Sequence, residues 1–471
     1  MTDIKLINLP YQEALATLYP SVRELPYPIL LDSNHQDFPT TRYDILVADP
    51  LAVIQAKASD CSINWQQAPI YSVTNKQSPF AAIDELMQHA CQEEWALKAN
   101  KTLPFTGGVM GYFGYDSSHF LEQLPNTVTQ DIELPDLVAG LYGWAIISLH
   151  ATQETVLMIT PWCSSDTEQS VMTLIQTALT NNTTAVTERF RLQSPFRSNM
   201  AYPEYQQKFD AVKQYIYAGD CYQVNLAQRF SAHYSGDSFE AYQTLRKVCP
   251  TPFSAYMEIA PQQAILSHSP ERFLLCDTGQ VESKPIKGTR PRGKTPEEDL
   301  ALAQELLNAE KDRAENLMIV DLLRNDMGRS CLTGSIKVPK LFALESYANV
   351  HHLVSTITGN IANAHDHVTV FNNSFPGGSI TGAPKIRAME IIDELEPHSR
   401  SAYCGSIAYF SSNGQMDSSI TIRTLVADHE KIHCWAGGGL VLDSKCEEEY
   451  QETFTKVGHL THTLEQDFLD E

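Results

Sequence analysis

Lys287 stands in the run Ser283-Lys284-Pro285-Ile286-Lys287-Gly288-Thr289-Arg290, where an apolar residue and a glycine frame it in what reads as a tight turn. A protonated lysine is a poor nucleophile, and desolvation and nearby cations favour the neutral amine; Arg290, Arg292 and Lys284 are such neighbours in sequence. Two further residues suit the same chemistry. Glu271, in Ser269-Pro270-Glu271-Arg272-Phe273, is expected at a strand end, and His352 lies in Val350-His351-His352-Leu353. Each is usually structural when it stands alone; together with Lys287 they form a set of nucleophile, general acid and orienting group.

Two acidic pairs offer a different function. Asp312 and Glu315 in one helical stretch, and Glu449 and Glu452 in another, stand three residues apart, which puts each pair on one helical face. Two such faces brought together make an oxygen-rich site that suits Mg²⁺ and leaves room for a substrate carboxylate. The glycine-rich run from Gly377 to Lys385 contains Ser379 and Thr381 and has Pro384 at an expected helix start, where free backbone N–H groups bind anions. Ala383 and Pro384 stand where a nucleotide P-loop needs lysine and serine or threonine, so that loop type is excluded. Gly437-Gly438-Gly439, after an expected strand, is a second place for close backbone approach, or else a bulge or turn.

The elements that must position these residues fall into two unequal parts. Up to about Thr160 the chain reads as strand-rich: Arg42 to Asp49 alternates, Gly107 to Tyr115 is a glycine and aromatic run, and Leu137 to Ile159 reads as a long hairpin turning near Thr152. A polar linker is expected from Asn181 through Asn199. Helices are expected over Pro203 to Ala218, capped by Gly219, and over Pro296 to Asp326, Pro384 to Leu395 and Glu447 to Leu464. Ser406 to Leu440 alternates around Asn413-Gly414, a strong hairpin signal.

Composition narrows the function. The 471 residues are 43% hydrophobic and 19% charged, as in soluble globular proteins, with no apolar run long enough to span a membrane. The N-terminus shows no secretory signal and the ten cysteines form neither a zinc spacing nor a disulfide framework, so a cytoplasmic protein is expected. With 34 basic against 57 acidic side chains, the net charge of −23 repels nucleic acid and anionic membranes. An anionic substrate must therefore meet a locally basic pocket.

The run from Lys311 to Asp326, with Ser379 to Lys385, Ile422-Arg423, Ala436 to Gly439 and Glu449 to Lys456, closely resembles the chorismate-utilising enzymes. These include anthranilate, isochorismate, salicylate and aminodeoxychorismate synthases. The resemblance covers the chain from about Tyr202 to its end, and the earlier part resembles the partner domain of the aminating members. It implies an α/β (α+β) fold of large antiparallel sheets in a sandwich flanked by helices, with an N-terminal anthranilate-synthase-component-I-like domain over 1–185 and a chorismate-binding catalytic domain over 200–471. Water-adding members carry a lysine where this chain has Gln223, and anthranilate synthases carry alanine where it has Lys287. The resemblance thus points to the aminodeoxychorismate branch, the alternatives being anthranilate synthase component I and a non-catalytic amino-acid-sensing subunit.

For the residues, the resemblance implies that Lys287 attacks chorismate, Glu271 protonates the departing hydroxyl and His352 assists. It implies Mg²⁺ on Glu315, Glu452, Glu449 and Asp312, although Asp312 departs from the glutamate of anthranilate synthases. Arg423, Tyr403, Lys456, Ser379, Thr381 and the backbone of Gly437, Gly438 and Gly439 would bind substrate. No glutaminase nucleophile motif is present, and Cys404 is expected inside a strand beside the site, so a separate glutamine amidotransferase subunit is implied as a heterodimeric partner. Leu31, Ser33, Pro252 and Phe253 resemble the tryptophan pocket of this branch, which either holds tryptophan or stands empty.

Overall fold

The computed structural model describes residues 3–34, 43–99, 101–180, 188–346 and 350–469. Among them the strands form one thirteen-stranded and one eleven-stranded sheet, with antiparallel pairing throughout the named strands. Successive side chains along a strand point to opposite faces, and here both faces are apolar. Ile45 and Ile265 face the core shared with the eleven-stranded sheet, where Ile54, Val109 and Tyr112 meet them. Their neighbours Leu46 and Leu266 face the other way, into a second core with Tyr242 and Leu245 of the Ser238–Val248 helix and Leu464 of the Cys446–Phe468 helix. The expected alternation around Tyr43–Val47 is therefore replaced by a run buried on both sides. The result is the sandwich flanked by helices that the resemblance implied.

The two sheets do not divide the chain into halves. Ile29–Asp32 pairs with Phe253–Ala260, and Gly108–Phe113 pairs with Ser406–Ser411, so segments 1–185 and 200–471 contribute to both sheets. Of the expected linker, 181–187 lies outside the described residues. The part after it is not loose: Arg191–Leu192 and Arg197–Ser198 pair with the long strand Gln223–Ser235. The expected hairpin from Leu137 also differs. Leu137–Tyr142 belongs to the eleven-stranded sheet, and past Gly143 the chain crosses to the other sheet as Trp144–Leu149 and Glu154–Ile159, which do turn near Thr152.

The helices follow their sequence signals unevenly: Pro79–Gln92, Ser165–Thr180 and Ser238–Val248 were not among those expected. Tyr202–Ala218 ends on Gly219 at a φ of 82°, the left-handed cap glycine favours. The acidic stretch expected as one helix is two, Pro296–Asn308 and Glu310–Gly328, with Ala309 extended between them. Both helices pack on the Ile286–Pro291 and Val350–Asn360 strands, and the second buries Ile319, Val320 and Leu323 in the core. Asn413-Gly414 does turn a hairpin, Ser406–Ser411 with Met416–Ile420, after which Thr424–Asp428 and Lys431–Leu440 form a second hairpin in the other sheet.

Where the two segments meet, Gly108 has a φ of 145°, and a Cβ there would overlap the Phe410 carbonyl oxygen. Gly108→Ala should lower the unfolding midpoint in urea, with a loss of about 2 kcal/mol or more. An unchanged midpoint would show that this seam does not constrain the fold.

Candidate active site

Lys287 reaches the site because its strand is irregular. Ile286–Pro291 is the edge strand of the eleven-stranded sheet, and its register with Val350–Asn360 slips between Ile286 and Thr289. Such a bulge re-aims a side chain. Gly288 allows it, with a φ of 79° and no room for a Cβ, which would stand 2.8 Å from Leu306 Cδ1 and 2.9 Å from Asp312 Cγ. The Lys287 amine donates to the Ser379 carbonyl at 3.2 Å, and the Ser379 hydroxyl donates to Glu271 Oε1 at 3.4 Å.

The tight turn with clustered cations is therefore corrected to a bulged strand whose cations are spoken for. Arg290 binds Glu305 and Asp312, Arg292 binds Asp299, and Lys284 lies 4.0 Å from Glu345. Lys287 itself acts on two carboxylates, Glu271 and Glu315, where Lys456 and Lys311 also contribute.

Glu271 is 8% exposed. Burial pushes its carboxyl above the ordinary range, against the opposing pull of Lys287, the Ser379 hydroxyl and Lys456. Its backbone is fixed: Ser269 Oγ accepts from Glu271 N and donates to the Ile420 carbonyl, while Ile420 N donates to Glu271 O at 3.0 Å. A carboxyl raised by desolvation and held rigidly is suited to giving up a proton.

The acidic pairs meet from two helices. In Cys446–Phe468 the buried stripe runs Glu449, Thr453, Val457, Leu460, Leu464, so Glu449 occupies a position where an apolar residue would be expected. It fits because Gly438 lies opposite; a Cβ there would stand 2.7 Å from Glu449 Oε2. Lys311 Nζ lies 3.8 Å from Glu449 and 4.0 Å from Glu315, and joins the two helices. Burial raises both carboxyls, and their mutual repulsion raises Glu315 further. Asp312 and Glu452 are held aside by Arg290 and Lys456. Among the described residues, no three His, Cys, Asp or Glu side chains gather closely enough to hold a metal. The donor chemistry nevertheless fits Mg²⁺, since Glu315 and Glu449 are partly buried oxygen donors whose charges share one flexible lysine.

The remaining expected residues divide. Gly437, Gly438 and Gly439 are neither turn nor bulge: they lie inside Lys431–Leu440, opposite Ala227, Leu226 and Asn225. Lys456 donates to Gly437 O at 2.9 Å, so it faces this glycine strip. Arg423 is exposed at a φ of 49° with no acidic partner within 4 Å among the described residues. Its charge and burial, burial first, push the His352 imidazole down to about 4, which keeps the ring neutral at pH 7. His352 and Thr289 Oγ1 share a hydrogen bond of 2.9 Å. Tyr403 is buried, its ring stacked 6.3 Å from Trp435. Thr381 turns inward and donates to the Gly377 and Gly378 carbonyls, so its hydroxyl closes the loop. That loop is not a simple helix entry, because Gly378–Ile380 is a 3₁₀ turn and Gly382–Ala383 pairs with Gln223–Ser235 before the helix begins at Lys385. Cys404 sits in a turn at a φ of 65°, ahead of the strand expected to contain it, and burial pushes its thiol up to about 12.

A family model described as chorismate binding enzyme matches residues 28–462. The chain belongs to the chorismate-binding enzymes. Aminodeoxychorismate synthase component 1 of Escherichia coli (strain K12) is 45% identical over 461 residues, 98% of each chain. Anthranilate synthase component 1 of Aquifex aeolicus is 36% identical over 370 residues, 77% of this chain and 75% of that one. The crystal structure of anthranilate synthase component I from Streptococcus pneumoniae superposes with a TM-score of 0.75 at 29% identity, covering 90% of this chain and 93% of the other.

In this chorismate-binding enzyme the site has supports that the sequence reading missed. Lys311 was visible as the i, i+4 partner of Glu315, but its link to Glu449 depends on how two distant helices meet. Arg400 and Glu396 form a buried pair that binds the backbone of Ile380, Asn225 and Ala227. Asn225 donates to the Ile380 carbonyl at 2.8 Å. Away from this site, Leu31, Ser33, Pro252 and Phe253 do line one cavity, of about 500 Å³ with its open mouth included, together with Tyr43 and Tyr409.

Glu271 gives a pH test with a definite sign. Its folded pKa lies above the unfolded one, so the folded chain holds a proton that the unfolded chain has lost. This contribution to stability is lost as pH rises from the ordinary glutamate range through the raised value. Glu271→Gln should be more stable than the parent above that window and lose the advantage below it. Urea midpoints compared across pH would show a constant difference if Glu271 were not desolvated.

Proposed function

We propose that this chain is the chorismate-aminating component of an aminodeoxychorismate synthase, which converts chorismate and ammonia to 4-amino-4-deoxychorismate for p-aminobenzoate and folate biosynthesis. The observation that carries the reading is the meeting of the Lys287 amine and the Glu271 carboxyl on one residue, Ser379. The 45% identity to a synthase component over nearly the whole chain supports it.

The chemistry needs a neutral amine and a protonated acid together. Moving one proton from the Lys287 ammonium to Glu271 produces both, and burial of Glu271 favours its protonated form. The Lys287 amine then attacks C2 of the ring as the double bonds shift, and the C4 hydroxyl leaves as water with the proton of Glu271. Ammonia attacks C4, the double bonds shift back, the bond from C2 to Lys287 breaks, and the surplus proton of the ammonia nitrogen returns to Glu271. The enolpyruvyl ether is kept. Neutral His352 stands by the bulge without adding charge.

Substrate anions are met by the fixed positive groups. Arg423, unpaired by acids, and Tyr403 would take the enolpyruvyl carboxylate beside the backbone of Gly437, Gly438 and Gly439, with Ser379 against the ring and Thr381 shaping its loop. Glu315 and Glu449, with Glu452 and Asp312 as further carboxylates, would hold Mg²⁺. Bound there, the ion supplies positive charge to the ring carboxylate, a task Lys456 shares.

Ammonia comes from a glutamine amidotransferase partner in this reading, in keeping with the term component in the relatives' names and the absence of a glutaminase motif. The cavity at Leu31, Ser33, Pro252 and Phe253, walled by Tyr43 and Tyr409, suits an aromatic amino acid such as tryptophan. We place the protein in the cytoplasm; among the described residues no helix is long and apolar enough to cross a membrane.

Chorismate, Mg²⁺ and ammonium incubated with the purified chain should give 4-amino-4-deoxychorismate by mass analysis; anthranilate with free pyruvate would sink the reading. Without ammonia, an adduct of chorismate minus water is expected on the peptide containing Lys287. Lys287→Ala turning over near the parent kcat, with no adduct in the parent, would refute covalent catalysis. Excess chelator, or Glu315→Ala, should lower activity on the order of 10²-fold or more. Full activity in both would remove the metal from the mechanism.

A further inference from the structure

The loop that carries Ser379 runs between Ser374, the last residue of the His367–Ser374 helix, and Lys385, the first residue of the Lys385–Leu395 helix. One ammonium closes its neck. Lys385 Nζ donates to the Ser374 carbonyl at 2.9 Å, so the chain before the loop and the chain after it meet on the same group. The charge is answered from a third element: Asp326 Oδ2, near the end of the Glu310–Gly328 helix, lies 2.7 Å from the amine. The two side chains are 11% and 5% exposed. Burial pulls the Lys385 ammonium down from its ordinary range and pushes the Asp326 carboxyl up, so both charges are held at a cost. A buried pair of this kind is often no more stabilising than apolar side chains of similar volume, and what sets it apart from them is its fixed geometry.

That geometry joins two parts of the candidate site. On the Glu310–Gly328 helix, Glu315, Ile319, Leu322 and Asp326 follow one another at helical spacing and share one face. Glu315 stands towards one end of this face, and the loop rests on the other end. Gly378 lies so close that a Cβ there would overlap Leu322 Cδ2 and stand 3.6 Å from Asp326 Oδ2. Ser379 follows Gly378 directly; its carbonyl accepts from the Lys287 amine and its hydroxyl donates to Glu271. Other ties from the same helix end, Arg329 to the Asn373 carbonyl at 3.4 Å and Asn373 to Ser330 Oγ at 2.8 Å, reach the chain before the loop. Lys385 adds the chain after it.

We infer that Lys385 and Asp326 are positioning residues of the reaction: their clasp fixes the Ser379 loop against the helix that carries Glu315. It thereby sets the distance from the place where the ring carboxylate is held to the place where Lys287 and Glu271 meet the ring. The inference rests on the proposed amination, which supplies both places. Both residues act through Ser379. Arg423, Tyr403 and Lys456, which would take the substrate carboxylates, lie outside the loop and outside the Glu310–Gly328 helix. A loosened clasp therefore leaves chorismate bound and its C2 and C4 misplaced. Misplacement by about 1 Å is enough to lower a rate on the order of 10²-fold.

The test uses the full chain with chorismate, Mg²⁺ and ammonium. It compares Lys385→Met, Asp326→Leu and the double variant, which replaces the pair by apolar side chains and leaves no charge buried alone. In all three, kcat should fall about 30-fold or more, with KM for chorismate within about threefold of the parent. Chorismate retained per chain, measured with Mg²⁺ and without ammonium, should match the parent, which a loss of folded protein would not allow. Recovery of near-parent kcat in the double variant overturns the inference, since the pair would then serve stability alone. A raised KM with kcat retained also overturns it, and so does retained chorismate that falls in step with kcat in every variant. Failure of the proposed reaction itself appears separately, as no 4-amino-4-deoxychorismate from the parent with ammonium.

Discussion

The guanidinium of Arg400, 1% exposed, lies 2.6 Å from Glu396 and donates to the carbonyls of Ile380 and Asn225. Glu396 in turn accepts from Ala227 N at 2.8 Å. One buried ion pair thus ties the glycine-rich loop, the long Gln223–Ser235 strand and the turn before Ser406–Ser411. Removing one partner of such a pair costs about 3–5 kcal/mol, because the other charge is left buried and alone. Here the geometric consequence matters as much. The loop so fixed presents Ser379, and Ser379 sets where Lys287 and Glu271 meet.

Backbone space is the second constraint. Gly288 lets the edge strand bulge beside Asp312, and Gly438 lets a glutamate enter where a helix would bury an apolar side chain. Both glycines admit charge into places that ordinary strand or helix packing would close. The carboxylates Glu271, Glu315 and Glu449 are each raised by burial, so the site is assembled against electrostatic cost that the large surrounding cores must offset.

Much of this was legible in the sequence where the signal is local. Gly219 ended its helix as expected, Asn413-Gly414 turned its hairpin, and the i, i+3 acidic pairs lay on helices. The long motifs also identified the family. What the sequence could not supply depends on distant packing. Arg290, Arg292 and Lys284 looked like neighbours of Lys287, but the bulge and the alternation of the strand send them to carboxylates. The helix breaks at Ala309, which is extended, and no capping side chain announces it. Likewise, Gly437 to Gly439 read as a place of close backbone approach, or else a bulge or turn, whereas they lie inside a strand where Gly438 makes room for Glu449 and Gly439 for Gln223.

The interleaving of the sheets also bears on how this chain acquires its structure. Gly108–Phe113 has Leu137–Tyr142 on one side, but its other neighbour is Ser406–Ser411. At ordinary synthesis rates that second edge stays open for roughly 300 residues of translation, or about 15–60 s. Ile29–Asp32 waits in the same way for Phe253–Ala260. During that interval the ribosome carries apolar strands with unmatched N–H and C=O rows, the kind of surface that invites chaperone capture or mispairing. The Cys446–Phe468 helix, which brings Glu449, docks on strands that lie before it in the chain, so the two acidic pairs meet only after both sheets have received their late strands.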